Sequence, residues 1–201
     1  TKGVIFVPLA GHIPSYIEKI QQFCKDKGLF LIEDASHAHG SRHNNHMAGA
    51  FGDAATFSFL ATKIITAGGE GGIVVTDDGA LAKRVESLRF HGEDFTRGIQ
   101  NRIGYSWRMT EMQAIVGLTK VKRLEEIAEK RMAIGSAYNK AFKNIPALTI
   151  IPVPDGDRNA YYKYAIILDK KLSREQVKER LDKEFSIASG TSYWPPCHLQ
   201  P

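Results

Sequence analysis

The sequence predicts an α/β fold: a mainly parallel sheet covered by helices over residues 1–110, a long helical link, and a small α+β module from about residue 147. Three observations carry that prediction. Apolar strand-like runs alternate with amphipathic helical stretches in the first half. The pattern becomes purely helical after Thr110. Prolines at 146, 152 and 154 then mark a boundary before a last strand–helix pair. The corresponding domains are 1–146, a large-domain portion with its linking helix, and 147–201, a small domain.

Residues 3–9 read as a buried strand. Pro14 stands at a helix start, Ile17, Ile20 and Cys24 form one apolar stripe, and Gly28 ends the helix. A second buried run, residues 29–32, stops at Glu33-Asp34; strand, helix and strand succeed one another, so a parallel pairing is expected. Residues 54–59 form another apolar run. A lone Lys63 follows, then a glycine cluster at 68, 69, 71 and 72 broken by Glu70, then a further apolar run at 73–76. The pattern is strand, short polar connection, glycine turn, strand. Asp77-Asp78 cap a short helix whose Leu81, Val85 and Leu88 share a face. Thr110 is placed to N-cap a helix whose apolar period, through Met112, Leu124 and Ile134, lasts to about Phe142. Beyond the prolines a strand is expected at 162–168, a helix from Ser173 to about Glu184, and then a weaker extended stretch.

A chain of 201 residues buries a real core, and 43% hydrophobic with 24% charged residues is ordinary for a soluble globular protein. The net charge of +5 does not point to nucleic acid, because basic residues interleave with acids, as in Lys122-Arg-Leu-Glu-Glu126. No apolar run is long enough to span a bilayer, Cys24 and Cys197 make no disulfide framework, and the expected location is the cytoplasm. The chain enters directly into a strand and stops in the loop-like Pro195-Pro-Cys-His-Leu-Gln-Pro201, which reads as a piece of a longer protein.

Four constellations of residues suit chemistry. Asp34 stands at the polar exit of a buried strand, where ligands of open parallel sheets sit; its alternative role is to cap the following turn. His37, His39, His43 and His46 lie close together, but no helical pair, cysteine or carboxylate cluster joins them, so no metal is expected. Ser58 and Lys63 put a hydroxyl and an amine near one another at the end of a sheet, suited to a phosphate and to an amine nucleophile. The alternative is a surface lysine in a hairpin loop. The G-x-x-x-x-G-K-[ST] order is missing, which argues against a nucleoside-triphosphate loop. The fourth, Gly104-Tyr-Ser-Trp-Arg-Met109 with Glu111 and Gln113, suits a ligand contact, a subunit interface or simple packing.

Five motifs occur in order: Ile32-Glu-Asp-Ala-Ser-His-Ala-His-Gly40, Phe57-Ser-Phe59 with Lys63, Gly69-Glu-Gly-Gly72, Leu88-Arg-Phe-His-Gly92 and Gly104-Tyr-Ser-Trp-Arg-Met-Thr-Glu-Met-Gln-Ala114. Together they resemble the DegT/DnrJ/EryC1/StrS family of pyridoxal-phosphate-dependent sugar aminotransferases, and the segment ending at Pro201 resembles that family's late loop. The resemblance covers nearly the whole chain. It implies the large-domain portion of a PLP-transferase (aspartate aminotransferase-like) fold, followed by a small α+β domain. It also implies that an N-terminal part, with a phosphate-binding helix start and a ring-stacking aromatic, and a final C-terminal segment lie outside this sequence.

By the same resemblance, Lys63 attaches pyridoxal 5'-phosphate covalently and, once freed, carries a proton between substrate and cofactor. Asp34 pairs with the pyridine nitrogen and keeps it protonated. Ser58 binds the cofactor phosphate, and His37 stands near the ring where many members have glutamine. Ser106 replaces the commoner asparagine that reaches the neighbouring subunit's cofactor phosphate; being shorter, it leaves that contact open. His198 matches a late-loop histidine near the sugar-nucleotide site. Family dehydratases place histidine where Lys63 stands, so the lysine points to transamination. The implied function is transfer of an amino group, from glutamate, to a keto group of a nucleotide-linked sugar in polysaccharide biosynthesis, by a homodimer without nucleic-acid or membrane partners. The alternative is a non-catalytic or truncated relative acting as a structural or regulatory partner subunit.

Overall fold

The computed structural model describes residues 1–191, 193 and 195–200, with the backbone alone at Cys197. Pro201, the last residue of the late-loop motif, lies outside them. The chain folds as two compact units, Thr1–Tyr138 with Pro152–Tyr164, and Asn139–Ile151 with Ala165–Pro201.

The first unit starts with strand β1 (Gly3–Phe6). It is shorter than the apolar run because Pro8, which has no N–H to give a ladder, leads into a 3-10 turn at Leu9–Gly11. Helix α1 (Ile17–Lys27) closes on Gly28, whose N–H returns to the Cys24 and Lys25 carbonyls. Strand β2 (Phe30–Asp34) lies parallel to β1, with Ile5 opposite Ile32. A small hairpin of β3 (Arg42–His43) and β4 (His46–Met47) follows. Strand β5 (Ala54–Ser58) adds parallel to β2, and β6 (Gly72–Val75) returns antiparallel to β5, giving the order β1-β2-β5-β6. The sheet is therefore mainly parallel with one antiparallel edge.

One face of this sheet packs on α1. Phe6, Ile13, Ile17, Cys24, Leu31 and Phe51 form a buried cluster there, each large apolar side chain contributing about 1.5–3 kcal/mol. The opposite face leaves Ile5 70% and Phe30 67% exposed. Side chains alternate between faces along a strand, and the two consecutive acids of β2 divide accordingly. Glu33 shares the covered face with Leu31 and is fully buried. Its carboxylate accepts the Gly49, Phe51 and Gly52 amides, fastening the 49–52 loop to the sheet. Asp34 falls on the other face, level with Thr56 of β5.

Helix α2 (Gly79–Arg89) is N-capped by Asp78, which accepts from the Ala80 and Leu81 amides. A second small hairpin, β7 (Glu93–Asp94) with β8 (Ile99–Gln100), precedes α3 (Glu111–Lys122). Thr110 and Gln113 form a reciprocal capping box at the start of α3. The helical stretch that reads as continuous in sequence breaks at Arg123, whose N–H turns back to the Lys120 and Val121 carbonyls; α4 (Leu124–Phe142) begins at the next residue. An apolar period cannot register a break of one residue.

In the second unit β9 (Leu148–Ile150) pairs antiparallel with β10 (Ile166–Leu168). Helix α5 (Arg174–Phe185) follows, capped by Ser173 on the Gln176 amide. The strand expected over 162–168 is confined to its last three residues. Its first residues belong to the other unit, where Arg131 takes up the carbonyls of Ala160, Tyr161 and Tyr162. The extended stretch expected after the helix forms no strand among the described residues. No helix there is long and apolar enough to cross a membrane.

Candidate active site

The site is built at the carboxyl end of the parallel strands, where β2 and β5 stop and the chain turns away. Asp34 and Ser58 end these strands on the same sheet face, since Asp34 stands opposite Thr56 and Ser58 lies two residues further on. Asp34 Oδ1 accepts the Ser36 amide at 3.2 Å, and no other hydrogen bond to its carboxylate occurs among the described residues. Ser58 Oγ accepts the Leu60 amide at 3.3 Å, which leaves its hydroxyl proton to donate outward.

Lys63 lies in the connection between β5 and β6. The glycine turn ending that connection is tight: a Cβ on Gly71 would stand 2.7 Å from Met109 Sδ. Gln113 ties the turn to the start of α3 by donating to the Glu70 carbonyl at 3.0 Å. Lys63 has no carboxylate partner among the described residues; its Nζ instead stands 4.8 Å from the centre of the Tyr162 ring. The same ring packs against His37 at a tilt of 34°, centroids 4.3 Å apart.

His37 gathers the charges of the site. Burial first, then the Lys63 and Lys163 ammoniums, push its pKa down to about 4, against the opposing pull of Asp34. Asp34, Lys63 and Lys163 thus each lie within electrostatic reach of His37. His39, packed against Phe57 and Phe59, is lowered to about 4 as well, by burial and then Lys63, with the Ser58 backbone opposing. Both imidazoles are neutral at pH 7.

The rest of the histidine run faces elsewhere. His43 is held between two carboxylates, Asp157 at 2.7 Å from Nδ1 and Glu18 at 3.0 Å from Nε2. Desolvation works against its charged form, but these two acids outweigh it and hold the pKa above the ordinary value. His46 is exposed and lies edge-on to Phe51. No group of three or more His, Cys, Asp or Glu side chains among the described residues is arranged to hold a metal.

Ser106 has partners of its own. Ser106 is exposed, pairs through its backbone with Phe90, and accepts from Arg108 at 3.1 Å. Beside it Tyr105 and Trp107 stack at 4.3 Å and remain half or more exposed. His198 is an exposed residue of a 3-10 turn, Cys197–Leu199, in the second unit. Residue types and spacing did not single out Tyr162, Asn159 or Arg131. Their segments lie far along the chain from Lys63, and the only local signal, the aromatic pair Tyr161-Tyr162, reads equally well as strand.

The donor set suits pyridoxal phosphate. A carboxylate with a free oxygen can meet a protonated ring nitrogen, a lysine without an ion-pair partner can meet an aldehyde, and a strand-end hydroxyl can meet a phosphate.

Comparison with known proteins agrees with this chemistry. A model of the DegT/DnrJ/EryC1/StrS aminotransferase family matches residues 1–201. The family's cofactor is pyridoxal 5'-phosphate. The chain is 34% identical to the spore coat polysaccharide biosynthesis protein SpsC of Bacillus subtilis, over 100% of this chain and 54% of that protein. It is 33% identical to the UDP-4-amino-4,6-dideoxy-N-acetyl-beta-L-altrosamine transaminase of Helicobacter pylori, over 94% of this chain and 51% of the relative. Among solved structures, a DegT DnrJ EryC1 StrS aminotransferase from Brucella abortus superposes with a TM-score of 0.91 at 36% identity, over 99% of this chain and 52% of that one. The chain thus spans about half the length of the relatives it matches.

Proposed function

The chain belongs to the DegT/DnrJ/EryC1/StrS aminotransferase family, and from that premise we propose that the full-length protein moves an amino group, from glutamate, to a keto group of a nucleotide-linked sugar. The observation that carries this reading is the meeting of Asp34, His37 and Lys63 at the strand ends, with Ser58 on the same sheet face as Asp34. Bound there, pyridoxal phosphate supplies an electron sink for the carbon that gains or loses the amino group.

Each residue then has a defined task. Lys63 would hold the cofactor through its amine and, when that amine is free and neutral, would take up and return a proton at Nζ. Asp34 would accept a hydrogen bond from the ring nitrogen, its negative charge favouring that nitrogen's protonated form. Ser58 donates its hydroxyl to the phosphate. Neutral His37 flanks the ring and adds no positive charge beside two lysines. Ser106 and His198 serve substrate or partner-subunit contact.

A homodimer in the cytoplasm is part of the same proposal. The dimer is supported by the exposed apolar surface around Ser106 and α3, where Ile103 is 84%, Met112 78% and Ile115 64% exposed.

The test is borohydride reduction of the full-length protein loaded with pyridoxal phosphate, followed by peptide mapping. The cofactor's mass is expected on Lys63, and Lys63→Arg, which keeps the charge but cannot bond the aldehyde, abolishes both adduct and turnover. An adduct on another lysine defeats the assignment.

A further inference from the structure

Tyr162 reaches the site on a strap that is fastened at several points. Arg131 Nε and guanidinium nitrogens donate to the carbonyls of Ala160, Tyr161 and Tyr162 at 2.6–3.2 Å. The Ala160 amide donates to Ser41 Oγ at 3.1 Å, and Asn159 Oδ1 accepts the Tyr161 amide at 2.7 Å. Arg42 and Arg158 pair backbone to backbone. Tyr161 takes a left-handed φ of 49°, rare for a residue with a side chain, and its ring fills the space where Gly135 has no Cβ. A strained residue held by so many bonds is over-determined. What it fixes is the direction of the next residue.

That next residue presents its ring to Lys63. The face of an aromatic ring attracts a cation through its quadrupole, and the attraction grows where water is excluded. Lys63 Nζ at 4.8 Å is within range, with no carboxylate among the described residues to compete for it. Against the same ring His37, itself 5% exposed, packs at a tilt, and the solvent-facing Lys163 approaches to 5.5 Å.

We propose that Tyr162 is a positioning residue for Lys63, its strapped ring holding the lysine's ammonium beside His37 whenever the amine is not bonded. The inference rests on the assignment of Lys63 as the bonding lysine, and it adds that the freed amine has a fixed resting place. An ammonium parked there starts each return from one place rather than from a solvated ensemble, and once it has given up its proton the neutral amine is at hand for the aldehyde carbon.

The test reads the amine itself. Full-length protein stripped of cofactor is labelled with trace isotopic acetic anhydride at pH 8, and Lys63 labelling is measured against exposed Lys170 by mass spectrometry. Only the neutral amine reacts, so a ring that holds the ammonium slows labelling. Tyr162→Leu, which keeps apolar bulk but removes the π face, raises Lys63 labelling about two- to fivefold, the factor for about 0.5–1 kcal/mol of cation–π attraction. Tyr162→Phe restores the wild-type rate. If Tyr162→Leu does not fold, a series of increasingly fluorinated phenylalanines at 162 keeps the shape while draining the quadrupole, and labelling rises in step. Labelling that is flat across the series, or Tyr162→Phe behaving as Tyr162→Leu, overturns the proposal. Absence of the reduced cofactor from Lys63 in the mapping experiment would instead remove the underlying assignment, whatever the labelling shows.

Discussion

Acid should destabilise this fold through His39, by an amount the structure allows to be worked out. His39 is 2% exposed and wedged against Phe57 and Phe59, with its pKa lowered from 6.5 to about 4. A depressed folded value means the stabilisation is complete above pH 6.5 and is lost as pH falls towards 4. At pH 5 the unfolded imidazole is protonated and the folded one is not, which costs the folded state about 2 kcal/mol relative to pH 7. The perturbation is His39→Leu, which keeps an apolar filler and removes the proton. Urea unfolding of the full-length protein at pH 7 and pH 5 is the assay. The packing change shifts both pH values equally, so the decisive quantity is the difference of differences. Wild type should lose about 2 kcal/mol more than the variant between the two pH values. Parallel pH dependences would mean that folded His39 accepts its proton as readily as the unfolded chain does, and the argument from burial and Lys63 would be wrong.

Three other outcomes follow. His43→Gln should show the opposite pH dependence. The pKa of His43 is raised by Asp157 and Glu18, so the stability lost in the variant is greatest below pH 6.5 and shrinks as pH rises through the folded value, measured by the same urea titrations. Glu33→Gln should lower stability by about 1.5–3 kcal/mol, because one amide oxygen cannot replace a carboxylate that accepts three backbone amides; the denaturant midpoint reports it. Thr110→Ala should cost about 1 kcal/mol by removing half of the capping box on α3, read as a fall in melting temperature with the urea m-value unchanged.

Features that depend on a few neighbouring residues were legible in the sequence. The caps at Asp78 and Thr110 and the stop at Gly28 are local chemistry, and the structure has each in place. The same holds for the exits of β2 and β5, where Asp34 and Ser58 stand. Strands of two or three residues are too short to carry a period, so β3, β4, β7, β8 and β9 left no trace. Tyr162 was hidden for a different reason. Its neighbours Tyr161 and Tyr164 give the segment the look of a strand, and long-range bonds, donated by Arg131 and accepted by Ser41, withdraw it from one. A pattern reading sees what a segment prefers by itself, and here a tertiary clamp overrides the preference.

The division of Glu33 from Asp34 shows how the fold turns adjacency into separate duties. The two acids are neighbours in sequence, yet strand alternation sends one into the core and the other to the site. Glu33 spends its charge on three amides of the 49–52 loop and so anchors β2 from beneath. Asp34 keeps an oxygen free on a strand that is consequently held in register. The imidazoles follow the same logic. Burial keeps His37 and His39 neutral next to Lys63, so positive charge at the site comes from the lysines and negative charge from Asp34. A pair of charged histidines in the same place would oppose the Lys63 ammonium and compete for Asp34. Keeping them neutral leaves Lys63 beside the Tyr162 ring and, in the proposed function, leaves Asp34 for a cationic ring nitrogen.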